Sequence, residues 1–242
     1  MKINLREHVY SRRESLTCKE VPRRRLSHRI IPSILAAATL AHCGAFSARS
    51  QEPIPTIRVR VLNYAGATPT TIAAAERGAG KILRDAGLKV IWIDCRVGEA
   101  SENPSNPCRQ PYSPAEVSLR VLSDRTGNEI PESAFGFAVP PILATVYYEP
   151  AVRHARSEGY EVTPILAGVV VHEIGHLLLG SSSHSGFGIM QGHWDRKCLQ
   201  QIRWNGLQFT QEQSKLIRAE GQRRMMLESR DSLLAVNSSL TR

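Results

Sequence analysis

The chain has 242 residues, 42% of them hydrophobic and 22% charged, which is enough for one medium-sized domain with a real core and too little for two. Its formal net charge is +9, but residues 1–50 carry +7 of it and the remainder only +2. The basic excess therefore belongs to the N-terminus and gives no case for nucleic-acid binding by the folded part.

The N-terminus has the layout of an export signal. Arg23-Arg24-Arg25 and Arg29 precede an apolar stretch, Ile30 to Ala41, and the small residues around Ala45-Phe46-Ser47-Ala48 suit cleavage after Ser47 or Ala48. The apolar stretch is too short to span a bilayer comfortably. Leu40-Ala41-His42-Cys43 is only faintly like a lipoprotein signal, and the arginine run only faintly like a twin-arginine signal; ordinary secretion is the expectation. Residues 1–48 are accordingly read as an export region, with the mature chain secreted or periplasmic. Cysteine use agrees with that. Cys18 and Cys43 fall in the signal region, while Cys95 and Cys108 bracket a polar loop that a disulfide would close. Cys198 is left over, an alternative partner for either.

Gln51 to Thr56 is a proline-marked linker. Ile57, Val59 and Val61 alternate with Arg58 and Arg60, a strand pattern. Thr68-Pro69 opens a helix with Ile72, Ala75, Ala79, Ile82, Leu83 and Ala86 on one face, and Gly87 ends it. Gly78 and Gly80 weaken that helix or allow close packing. Leu88 to Ile93 reads as a second strand, and Val117, Leu119 and Val121 mark a third. Asp124 to Glu132 is a turn-rich loop. Phe135 to Val139 is a short edge segment before Pro140-Pro141, and Ala144 to Tyr148 is another strand. Tyr147 and Tyr148 are assigned to sheet packing. Pro150 to Tyr160 is a short helix or loop in which His154 is expected at the surface.

From Ile165 to Leu179 the chain is almost wholly apolar, which predicts a buried helix, with Thr163 as N-cap, Pro164 in first position and Gly180 as stop. Inside it lies His172-Glu173-Ile174-Gly175-His176. Residues i and i+4 share a helix face, so His172 and His176 can grip one metal ion, and Glu173 can act as base toward a water the metal acidifies. Two histidines and a glutamate are costly in such a helix unless something satisfies them, and a bound cation does so. A catalytic zinc site needs a third protein ligand. His184 is the first candidate, because Gly180 can turn the chain back through Ser181, Ser182 and Ser183; His193, Asp195 and Glu212 are alternatives. Further on, Thr210 and Gln213 form a capping box for a last helix through Leu216 and Ile217. Arg218, Arg223 and Arg224 are expected on its solvated face, and residues 230–242 are read as a flexible tail.

His172-Glu173-x-x-His176, Gly180, His184-Ser185 and Gly188-Ile189-Met190 together resemble the metzincin clan of zinc endopeptidases, nearest to the matrixins, whose pattern is H-E-x-x-H-x-x-G-x-x-H followed by a Met-turn. The linker from His176 to His184 is two residues longer than in that pattern, and no tyrosine follows Met190. The resemblance implies His172, His176 and His184 as zinc ligands, Glu173 as general base and Met190 as an apolar floor beneath the metal. It covers about His172 to Met190. The expected fold class is α+β: a mixed twisted sheet with a buried zinc-motif helix and a C-terminal helix. Residues 53–229 would form a catalytic domain that hydrolyses peptide bonds, with Zn2+ as cofactor, a protein or peptide as substrate, no stable membrane span, and a monomeric state. An exported metal-binding interaction domain without protease activity, and a zinc amidase on a non-protein substrate, are the competing expectations. Trp194 is assigned to packing.

Overall fold

A computed structural model describes residues 53–95, 105–125, 131, 133–204 and 206–240. The expected export region, with Cys18 and Cys43, and most of the expected loop from Asp124 to Glu132 lie outside the described residues. The elements in chain order are β1 (Thr56–Asn63), α1 (Pro69–Asp85), β2 (Lys89–Cys95), a 3-10 turn (Pro107–Arg109), β3 (Glu116–Leu122), β4 (Gly136–Val139), β5 (Leu143–Tyr147), α2 (Tyr148–Ser157), α3 (Val162–Leu179), α4 (Arg196–Arg203) and α5 (Gln211–Leu240).

The five strands form one sheet in the order β2-β1-β3-β5-β4. β2, β1, β3 and β5 are parallel, and β4 runs antiparallel on the edge beside β5. This is the mixed sheet covered by helices that the strand patterns predicted. Ile57, Val59, Val61, Val117, Leu119, Ala144 and Val146 join the core that α1 and α3 complete. The two helices pack closely because Gly78 lacks a side chain: a Cβ there would lie 2.9 Å from the Cβ of Ala167. α3 is long and apolar enough to cross a membrane, yet it is mostly buried, in contact with the sheet and with all four other helices.

The other side of β1 is covered as well, so the strand does not show the exposed polar face that its alternation suggests. Arg60 is buried and forms a two-pronged ion pair with Glu116 of β3, at 2.7 and 2.8 Å, while donating to the carbonyls of Gln110 and Pro111. The Cys95–Cys108 disulfide is formed and ties the end of β2 to the same segment. Cys198 pairs with neither of these cysteines; it is buried in α4.

Several helices differ from the sequence reading. α2 begins at Tyr148, which was expected at the end of the preceding strand, and closes at Ser157. α3 begins at Val162 with Glu161 as N-cap, so Thr163 lies inside the first turn, where Pro164 needs no backbone donor. α4 was not expected; Asp195 caps it through the N–H of Cys198, and Cys198, Leu199 and Ile202 form its buried side. α5 continues through the stretch read as a flexible tail as far as Leu240, since no glycine or proline interrupts it after Gly221. Its capping box is present, with the Gln213 N–H donating to Thr210 Oγ1 and the Thr210 N–H to Gln213 Oε1.

Arg224 is a further correction. It is buried rather than solvated, donating to the carbonyls of Leu177 and Pro141 at 3.0 Å and to Glu220 at 2.8 Å. The reason is its place on the stripe Gln213, Ile217, Gly221 and Arg224, which is the inward side of α5.

Candidate metal centre and its cleft

His172 and His176 project from one side of α3, one turn apart, as their spacing requires. Gly180 ends the helix with φ at +95°, a left-handed conformation that favours glycine, and the serine-rich loop beyond it returns His184 to the first two histidines. The two extra residues of that loop therefore do not keep His184 away. The Nε2 atoms of His172 and His184 each lie 3.1 Å from Nε2 of His176. Candidate ligand atoms of the three residues all lie within 4.8 Å of one another.

Their outer nitrogens fix which way the rings present their lone pairs. His172 Nδ1 lies 2.8 Å from the carbonyl of Ile189, and a carbonyl only accepts, so Nδ1 carries the proton and Nε2 is left bare. His176 Nδ1 faces the carbonyl of Gly180 at 3.4 Å and Ser183 Oγ at 3.0 Å. Burial, together with the neighbouring imidazoles, pushes the pKa of His172 down to about 3. Burial lowers His176 and His184 as well. All three are thereby held neutral, the form that binds metal. Converging lone pairs repel unless a cation lies between them. The 3.1 Å separations are near the ligand–ligand edge of about 3.3 Å expected for imidazoles tetrahedrally arranged on zinc. The donor set and its spacing thus fit a zinc ion.

Three positions without side chains make room for this arrangement. A Cβ on Gly175 would lie 2.5 Å from Met190 Sδ, so Met190, fully buried, packs directly against the motif helix. A Cβ on Gly192 would lie 2.9 Å from His184 Nδ1, so the chain at 192 backs the third imidazole. A Cβ on Gly136, in the edge strand, would lie 2.8 Å from Glu173 Oε1 and 2.5 Å from the carbonyl of Thr145. Glu173 is thus held between α3 and β4, nearly inaccessible, and burial raises its pKa to about 8.

The loop from His184 to Met190 closes on itself, with the Ser185 N–H donating to the carbonyl of Met190 and Gly188 at φ +79°. Gln213 at the start of α5 donates to Ser185 Oγ, anchoring this loop to the last helix.

The other candidate ligands are placed elsewhere. Asp195 is occupied as the α4 N-cap, and Glu212 is exposed beside Lys215 at 3.3 Å. His193 borders the same cleft but is not part of the histidine cluster. Trp194 packs edge-on against His172, ring centres 5.4 Å apart. Tyr147 is buried at the end of β5. His154, expected at the surface, is half-buried in the cleft wall, edge-on to Phe135 at 6.2 Å.

The cleft has a volume of about 700 Å³ and runs between β4, α2, the histidine cluster and the segment entering α4. Sequence reasoning missed the roles of Gly136 and Gly192, which carry no local signal. It also missed α4, although Asp195 followed by Cys198, Leu199 and Ile202 is a cap before an apolar face.

No protein-family model matches the chain, and no curated protein sequence does. Among solved structures, the chain is similar to an archaemetzincin from Methanopyrus kandleri, with 13% identity, a TM-score of 0.47, and coverage of 68% of this chain and 95% of that one. It is also similar to a zinc-dependent peptidase from Methanocorpusculum labreanum, with 14% identity, a TM-score of 0.41, and coverage of 60% and 99%. Metalloproteinase-II from Bacteroides fragilis is a further likeness, with 13% identity, a TM-score of 0.38, and coverage of 64% and 54%.

Proposed function

We propose that this chain is an exported zinc-dependent endopeptidase. The observation that carries the reading is the convergence of the His172, His176 and His184 Nε2 atoms beside a buried Glu173 in an open cleft. A purely structural zinc site takes four protein ligands and has no use for a carboxylate placed next to it, whereas three ligands and a neighbouring base are a hydrolytic set. His172, His176 and His184 would hold the zinc, which when bound polarises a carbonyl and acidifies water.

The chain's own groups supply the rest. Glu173 accepts the proton of the attacking water and passes it to the departing amine. Its burial disfavours the charged form, so a proton received there is readily held. The edge strand β4, paired on one side among the described residues, offers main-chain donors and acceptors to an extended peptide. Export is supported by the N-terminal signal pattern and by the Cys95–Cys108 disulfide, which persists in oxidising compartments.

Elemental analysis beside a peptide-library digest tests this reading. One zinc per chain with cleavage inside peptides is expected. In Glu173→Gln the zinc should remain while kcat falls by about two to four orders of magnitude. A chain that binds no zinc, or a glutamine variant of undiminished rate, would overturn it.

A further inference from the structure

The cleft is asymmetric in charge, and that asymmetry concerns what it binds. Arg125, Arg153 and Arg196 border it, from the end of the β3 segment, from α2 and from the first residue of α4. Their acidic partners among the described residues stand outside its lining. Asp124 meets both Arg153 at 2.9 Å and Arg125 at 3.6 Å, and Glu158 meets Arg196 at 2.7 Å. Among the described residues, Glu173 is the one acidic residue that borders the cleft, and it is buried at the base beside the histidines. Among the described residues, the basic member of each pair borders the cleft and the acidic member does not, a distribution that favours an anion there.

Two buried ring nitrogens belong to the same wall. His154 Nε2 and Trp194 Nε1, both in residues that border the cleft, are buried without a hydrogen-bond partner among the described residues. A donor such as the Trp194 N–H, removed from water and left unpaired, is costly. Such a cost is recovered when a ligand brings an acceptor. Phe135, Pro150, Val169 and Leu199 add apolar surface.

We infer that the wall formed by α2 and the entry to α4 binds a carboxylate of the substrate, so that the peptides preferred carry an acidic group close to the scissile bond. This rests on the peptidase reading above. The carboxylate is either an aspartate or glutamate side chain or the free C-terminus of the peptide. Arg153 and Arg196 are the specificity-determining residues, with planar guanidinium groups suited to carboxylate geometry.

The test uses the zinc-loaded chain and four matched fluorogenic peptides: an internal Glu or Gln, each with a free or an amidated C-terminus. Charge-assisted pairing predicts kcat/KM higher by on the order of tenfold for the peptides that keep the recognised carboxylate. The Glu/Gln comparison reports a side-chain source, and the free/amide comparison a terminal one. In the Arg153→Gln/Arg196→Gln double variant, with zinc content and circular dichroism unchanged, the preference should fall to near unity. Binding of the same peptides to zinc-loaded Glu173→Gln, followed by calorimetry, should rank them in the same order. Equal cleavage of all four, or a preference that survives the double variant, overturns the inference and leaves the peptidase reading standing. Absence of cleavage of any peptide overturns both.

Discussion

Glu173 and Gly136 come from different elements yet behave as one unit, because the space for the carboxylate is the space where a side chain at 136 would be. Gly136→Ala should therefore push Glu173 out of register without touching the histidines. Zinc content is expected to stay at one per chain while kcat falls by on the order of tenfold to a hundredfold, since small displacements of a reacting group are costly. Zinc lost along with activity would show that Gly136 supports the whole centre instead. Another buried carboxyl lies outside the lining of the cleft. Glu76 on α1 has its pKa raised to about 8, chiefly by burial and then by nearby Asp94, and its Oε1 has no hydrogen-bond partner among the described residues. An acid whose folded pKa is raised favours folding most when protonated. That contribution is fully present below about pH 4.5 and is lost as pH rises through about 8. Glu76→Gln should thus stabilise the protein by about 1–3 kcal/mol at pH 8 and change little at pH 4. Denaturant melts at the two pH values check this, and an equal effect at both would remove ionisation as the cause.

At the scale of elements, α5 holds the base of the motif helix. Arg224 on its buried stripe satisfies the Leu177 carbonyl in the last turn of α3 and the Pro141 carbonyl ahead of β5. Glu220 beside it would be raised by burial, but hydrogen bonds from Arg223 and Arg224 outweigh this and lower its pKa. Arg224→Met keeps the bulk while leaving two carbonyls without their donor and Glu220 with Arg223 alone. It should cost about 2–4 kcal/mol, read as a lower urea midpoint with an unchanged slope. A variant as stable as the parent would mean that water replaces the guanidinium. The capping box at Thr210 and Gln213 works at this scale too, because Gln213 also holds Ser185 in the loop after His184. Helix α5 thus reaches both ends of the histidine segment.

For the whole molecule, the metal centre adds a link between a core helix and the loop beyond it, which already meet at Met190 and at the Ile189 carbonyl. A cation bound to all three histidines favours the folded state over the unfolded by mass action, about 4 kcal/mol at a thousand times the dissociation constant. Removing zinc with a chelator should lower the melting temperature, and restoring zinc should return it. In His184→Ala most of that difference should vanish, because the bridge between helix and loop is gone. Equal melting temperatures with and without zinc in the parent protein would contradict a three-residue site spanning both segments.

The sequence by itself determined the features that depend on local periodicity and spacing. Alternating Ile57, Val59 and Val61, the face of α1, the apolar run of α3, the glycine stop at 180 and the Thr210–Gln213 cap all state their structure within a few residues. The shared face of His172 and His176 follows from the helical repeat alone. The tertiary structure decided whatever depends on residues distant in the chain. The approach of His184 depended on a loop path that spacing could not fix, and the burial of Arg60 and Arg224 on the partners that other segments bring. The spaces at Gly136 and Gly192 are the clearest case. A missing side chain leaves no mark in its own neighbourhood, and its meaning appears only when Glu173 and His184 arrive to fill the gap.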